Sequence, residues 1–81
     1  MADFNYEITK HIGSLTDRTG GWHKELNLVS WNDGEPKYDI RTWMGEEHAR
    51  MGKGVSLSKE ELIALKELIE EELRESEESV S

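Results

Sequence analysis

The sequence contains no cysteine and a single proline among its 81 residues. Without cysteine, neither a disulfide framework nor a thiolate metal site is available. No stretch approaches the roughly 18 consecutive apolar residues that a membrane-spanning helix needs. The opening residues, MADFNYEITK, lack the basic-then-apolar order of a secretory signal. The expectation is a soluble, cytoplasmic chain with no membrane contact. Positive charge is also scarce: ten Lys and Arg stand against 18 Asp and Glu, a formal net charge of −8. Taken whole, that balance argues against nucleic acid. The charge is unevenly placed, however. Residues 1–58 hold seven Lys/Arg and nine Asp/Glu, whereas residues 59–81 hold three and nine. Most of the acidity sits in the last quarter, which leaves the remainder free to present a basic face.

Signatures of catalysis are missing as well. There is no cysteine nucleophile, no evident base–nucleophile pair, and the "GKG" at 52–54 is too short for a phosphate-binding loop. His11, His23 and His48 lack a ligand spacing such as H-x-x-x-H. No enzyme activity, cofactor, metal or small-molecule substrate is expected. A chain this short forms one domain and buries little surface. With disulfides and metal set aside, a partner copy is the remaining common aid, so a homodimer is expected.

What is present reads as four strands and a helix. In "FNYEITKHIGSL", residues 4–15, Phe4, Tyr6, Ile8 and Ile12 alternate with Asn5, Glu7, Thr9 and His11, a half-buried strand. "TDRTGG" is a loop, and "WHKELNLVSW" at 22–31 is a second strand. "NDGEP" is a turn before "KYDIRTW" at 37–43, "MGEEHARMG" a polar connection, and "KGVSL" at 53–57 a short fourth strand. Ser58 and Glu61 form a capping box that opens an amphipathic helix. Its stripe is Leu62, Leu65, Ile69 and Leu73, widened by Ile63 and Leu68. Short loops imply antiparallel pairing.

Within "KYDIRTW", Lys37, Asp39, Arg41 and Trp43 share one face and Tyr38, Ile40 and Thr42 the other. The largest apolar side chain thus sides with the charges. The face of Trp31 depends on the turn. A two-residue loop at Asp33–Gly34 places Trp31 opposite Pro36, with Tyr38 and Ile40. A three-residue loop at Asn32–Gly34, with Gly34 left-handed, places it opposite Glu35, with Lys37, Arg41 and Trp43. Local sequence leaves both open.

"WNDGEPKYDIRTW", followed by "GKGVSL" and the capped helix, resembles the single-stranded-DNA-binding coactivator family of positive cofactor four, and in particular its small bacterial YdbC-like members. The resemblance spans roughly residues 22–73. It implies a curved, antiparallel four-stranded sheet with a C-terminal helix, α+β in class, and a homodimer formed through the helices. It further implies that single-stranded DNA crosses the sheet face with little sequence preference. Trp31 stands where the family carries an aromatic before the first tight turn. In the matching hairpin that aromatic shares a face with the arginine of "DIR", here Arg41, which favours the three-residue loop. Trp43 fits the aromatic that follows this arginine, and Lys53 lies in the family's KG-aliphatic-Ser-Leu piece. The turn is poorer in lysine than in eukaryotic members, and their serine-rich arm is absent. A role at eukaryotic promoters therefore does not carry over.

The expected organisation is one domain over residues 1–75 and a polar, disordered tail over 76–81. The expected nucleic-acid contacts are Trp31, Lys37, Arg41, Trp43 and Lys53, with Trp22 and Lys24 as edge contacts on the opposite pleat. Such a site joins phosphate-tracking cations to aromatic faces on which bases stack. The partner is single-stranded DNA, with RNA as an alternative, in transcription regulation or in replication and repair. The competing reading is a protein-interaction module working through a sheet edge or the helix surface. Each residue also has a plainer role: Trp43 as core or interface filler, Trp22 as a plug after Gly-Gly, and Lys37 and Arg41 as solvated or ion-paired strand residues.

Overall fold

The structure, a computed structural model, describes residues 5–16, 21–45 and 47–80, with side chains through residue 77. Phe4 lies outside the described residues. Four strands, β1 (Tyr6–Ser14), β2 (Trp22–Trp31), β3 (Lys37–Met44) and β4 (Arg50–Leu57), precede helix α1 (Lys59–Val80). The sheet is an antiparallel meander in the order β1-β2-β3-β4. The α+β class and the order of elements expected from the sequence stand. β4 begins at Arg50, earlier than the "KGVSL" segment suggests, because Met44 pairs with Arg50 and Trp43 with Met51.

The β2–β3 turn settles which face Trp31 occupies. Val29 pairs with Lys37 and Asn27 with Asp39, the register of the three-residue reading. The turn chemistry differs from that reading. Asn32 (φ 50°) and Asp33 (φ 64°) are the left-handed residues, and Gly34 N–H donates to Trp31 O at 2.9 Å. Asn and Asp tolerate this region better than other side chains do, and two left-handed residues match the twist of a hairpin. The Asn32 side chain also accepts from Asn5 N–H at 2.9 Å, which ties the start of β1 to the turn.

Two register shifts interrupt β1, between Ile8 and Lys10 and between His11 and Gly13. Each extra residue inverts the side-chain alternation. His11 therefore pairs with Asn27 on the same face as Tyr6 and Ile8, contrary to the simple alternation that opposes them. A third shift lies between the Arg41–Gly54 and Trp43–Met51 pairs, with the extra residue in β4. The glycines around Lys53 are required there. A Cβ on Gly54 would stand 2.5 Å from Arg41 Cβ, and one on Gly52 would stand 3.0 Å from the Trp22 ring.

The capping box forms as expected: Glu61 N–H donates to Ser58 Oγ at 3.1 Å and Ser58 N–H to Glu61 Oε1 at 2.8 Å. The helix continues to Val80, so its backbone runs through the segment for which the sequence suggests a disordered tail. Leu62 and Leu65 are half-buried, while Ile63, Leu68, Ile69 and Leu73 are exposed. Between helix and sheet lies an apolar groove of about 450 Å³, lined by Leu15, Leu26, Ile40, Leu62 and Ile69 among others. Among the described residues, the buried apolar side chains are Val29 and Trp43, and the buried polar ones are His23, Glu25, Asn27 and Asp39. The interior of a single chain is thus largely polar, and it belongs to the sheet face turned away from the groove.

Candidate nucleic-acid interface

The regular register of β2 against β3 puts His23, Glu25, Asn27, Val29 and Trp31 on one pleat, beside Lys37, Asp39, Arg41 and Trp43. Two hydrogen-bond networks organise this face.

The first centres on Asp39. Its carboxylate is fully buried and accepts from Arg41 Nε and from an Arg41 terminal nitrogen, both at 2.9 Å. It also accepts from Ser56 Oγ at 2.9 Å. Ser56 Oγ in turn accepts from Trp31 Nε1–H at 3.0 Å. The other Arg41 terminal nitrogen donates to Gly52 O at the β4 bulge, 3.1 Å away. With its side chain 15% exposed, Arg41 lies over the Trp31 ring, Cζ to centroid 4.9 Å. That distance is within cation–π range. Asp39, an anion between two cations in the sequence, is what orients both Arg41 and, through Ser56, the indole of Trp31.

The second network centres on Glu25, also fully buried. It accepts from His23 Nε2 at 2.6 Å, His48 Nε2 at 2.8 Å and Asn27 Nδ2 at 3.0 Å. His11 Nδ1 lies 2.7 Å from Asn27 Oδ1 and 3.4 Å from Glu25 Oε1. Burial by itself pushes the Glu25 carboxyl up. The hydrogen bonds from His48, Asn27 and His23 and the attraction of His48 outweigh it, holding the pKa at about 2 against an ordinary 4.5.

The sequence-derived site residues divide into three groups. Trp31 is half-buried, Lys37 exposed and Arg41 largely covered, and all three share the polar face. Lys53 is exposed in the β4 bulge. Trp43 lies on that face as expected, but it is 0% exposed. Tyr6 covers it at 5.5 Å between ring centroids, and His48 meets it edge-on at 4.8 Å. As a stacking surface for a base it is therefore corrected to a packing residue in this conformation. Trp22, 47% exposed, and Lys24 occupy the reverse pleat, where Arg50 Cζ lies 5.9 Å from the Trp22 ring centroid. They do not join the Trp31–Arg41 cluster.

Sequence reasoning missed Tyr6, Ser56 and the histidines as members of this face. The His23-x-Glu25 alternation was legible. The arrival of His11 by a bulge and of His48 by a loop was not.

A meander of four antiparallel strands with one capped helix, bearing exposed Lys37 and half-buried Trp31 on the sheet face turned away from the groove, defines a small β4–α domain. The model of the Transcriptional Coactivator p15 (PC4) family matches residues 19–68. That span is more than half of the sequence, and the chain belongs to this family. An uncharacterized protein of Treponema pallidum (strain Nichols) is 45% identical over 67 residues, which are 83% of this chain and 78% of that protein. The matched span starts at the edge of β2 and ends within α1, so Tyr6 and His11 of β1 lie outside it.

Proposed function

We propose that the protein is a non-catalytic, largely sequence-independent binder of single-stranded DNA, acting in transcription regulation or in replication and repair. The observation that carries this reading is the state of Trp31. Its indole is fixed by the Ser56–Asp39–Arg41 chain yet remains partly exposed. A pre-oriented aromatic face loses little freedom when a base stacks on it. Lys37 on the same face and Lys53 at the β4 bulge are exposed cations suited to phosphates. Family membership adds support through the coactivator that gives the family its name.

The working unit we propose is a helix-mediated homodimer in the bacterial cytoplasm. Ile63, Leu68, Ile69 and Leu73 are exposed along α1, beside an apolar groove. A single chain with so thin an apolar interior gains most from covering that stripe. The same stripe is what favours the second reading, a protein-interaction module that docks a different partner on the helix.

Tryptophan fluorescence during titration with oligo(dT), at several salt concentrations and with duplex DNA as competitor, separates the two. Quenching that salt weakens, that duplex does not reverse, and that Trp31→Phe reduces is the expected result. Unchanged fluorescence and no retention of the oligonucleotide at low salt would remove single-strand binding and leave the interaction module.

A further inference from the structure

Glu25 poses an electrostatic problem. Its carboxylate is fully buried, and among the described residues its contacts are three imidazoles and one amide, with no Lys or Arg. A buried carboxylate is stabilised by hydrogen-bond donors and by a positive partner, and a metal ion held by the surrounding imidazoles would be such a partner. Imidazole nitrogens with a carboxylate oxygen are the donor set that zinc-class ions take. One ligand atom from each of His23, Glu25 and His48 lies within 4.8 Å of the other two. Tetrahedral ligands about 2.0–2.1 Å from zinc stand roughly 3.4 Å apart. Widening the imidazole–carboxylate contacts by about 0.7 Å and drawing the two imidazoles together therefore admits an ion.

We propose that His23, Glu25 and His48 form a binding site for one divalent transition-metal ion of the zinc class, with the fourth position opening toward His11.

The placement of the ligands fits this role. His23 and Glu25 are alternate residues of β2, which pairs on both edges and holds them at fixed spacing. His48 comes from the β3–β4 connection at φ 57°. A non-glycine side chain in that region is uncommon, and such backbone clusters at ligand clamps. His11 is 43% exposed and its Nδ1 is 3.4 Å from Glu25 Oε1, which gives the ion an entry path. His11 stands outside the three-residue cluster, so the fourth position is left to water. No H-x-x-x-H spacing announces the site, because two ligands alternate on a strand and the third arrives from a loop. His23 Nδ1 has no hydrogen-bond partner among the described residues. Ligating imidazoles ordinarily have one, so the affinity expected is below that of sites with a complete outer shell.

The test uses the full chain without a tag, stripped with EDTA and held at pH 7.5. Co²⁺ is titrated while its visible absorption and the intrinsic tryptophan fluorescence are followed, Trp43 being in edge contact with His48. Zn²⁺ and Mg²⁺ are compared by thermal shift. Expected are a 1:1 tetrahedral Co²⁺ spectrum displaced by Zn²⁺, a rise in melting temperature with Zn²⁺ but not Mg²⁺, and affinity at least about tenfold weaker in His48→Ala. His48→Gln serves if His48→Ala loses its circular dichroism. Absence of saturable 1:1 binding, or equal affinity in the His48 variants, overturns the site. So does a metal-free chain that gains stability on acidification to pH 6 and ignores Zn²⁺, since protons then supply the counter-charge.

Discussion

Asp39→Asn isolates the group on which the Trp31 face depends. The substitution keeps the shape of the side chain, removes its charge, and turns one acceptor oxygen into a donor. Asp39 now serves three hydrogens, two from Arg41 and one from Ser56, each at 2.9 Å. An amide cannot satisfy all three without setting donor against donor. Arg41, 15% exposed, is left with a nearly buried charge and one acceptor, Gly52 O. Removing one partner of a buried pair costs about 3–5 kcal/mol. The residual exposure of Arg41 and its contact with Trp31 bring the expectation to about 3 kcal/mol. At a urea slope of about 1–1.5 kcal/mol/M for a chain this small, the midpoint falls by roughly 2–3 M. Unfolding is followed by fluorescence at one fixed protomer concentration, because the proposed dimer would add to apparent stability. The double variant Asp39→Asn/Arg41→Gln completes a cycle and should cost at least about 1 kcal/mol less than the two single losses together. A single-variant cost under about 1 kcal/mol, or additive losses, would mean that Arg41 swings freely into water like a surface ion pair. The argument that Trp31 is pre-oriented would then fail.

Further outcomes follow from the same geometry. Trp31→Ala should leave the fold intact and weaken oligo(dT) binding by about 1–3 kcal/mol, roughly 5- to 150-fold, measured by fluorescence anisotropy of labelled oligonucleotide. Trp43→Ala should instead cost about 3–5 kcal/mol in urea unfolding, since its ring is enclosed by Tyr6 and His48. Glu25 has a depressed folded pKa of about 2, so its contribution is fully present above about pH 4.5 and fades as pH falls toward 2. In EDTA, the stability gap between the wild type and Glu25→Gln should therefore narrow by on the order of 3 kcal/mol as pH falls from about 5 to below 2. A pH-independent gap would contradict that cause. Leu68→Glu with Leu73→Glu should convert the proposed dimer to monomers in sedimentation velocity; a wild type that already sediments as a monomer, or an unchanged coefficient in the variant, would remove the helix-mediated dimer.

The parts of this molecule governed by neighbours in sequence were legible. Ser58 and Glu61 are three residues apart, and their reciprocal bonds depend on nothing else. The polar face of β3 was also legible, because β2 and β3 pair without interruption. Trp43 shows where that reading stops. Alternation assigns it a face, but only Tyr6 from β1 and His48 from a loop decide whether that face is open. His11 fails for a related reason, since each inserted residue in β1 inverts the alternation and leaves no mark in composition. Trp31 is an intermediate case. Its register was one of two weighed, but the left-handed residues are Asn32 and Asp33, so the expected turn chemistry was misplaced by one step. The carboxylates at 25 and 39 look like surface residues in a one-dimensional reading. Their nearest partners, His23 and Asn27 for Glu25 and Arg41 for Asp39, stand two residues away on the same strand, but His48 of the β3–β4 connection and Ser56 of β4 join them only in the fold.

The ties on Arg41 bear on how strongly salt should govern binding. A guanidinium has five N–H groups, and three of its hydrogen bonds go to Asp39 and Gly52. Its charge is already balanced by Asp39, so it releases few condensed counterions when a strand arrives. Release is left to exposed lysines such as Lys37 and Lys53. At about 0.7 per phosphate contact on a single strand, these two give a shallow dependence of log K on log salt, near −1.4 per protomer. A protein built this way would keep its grip on single strands over a range of ionic strengths that strips duplex binders from theirs.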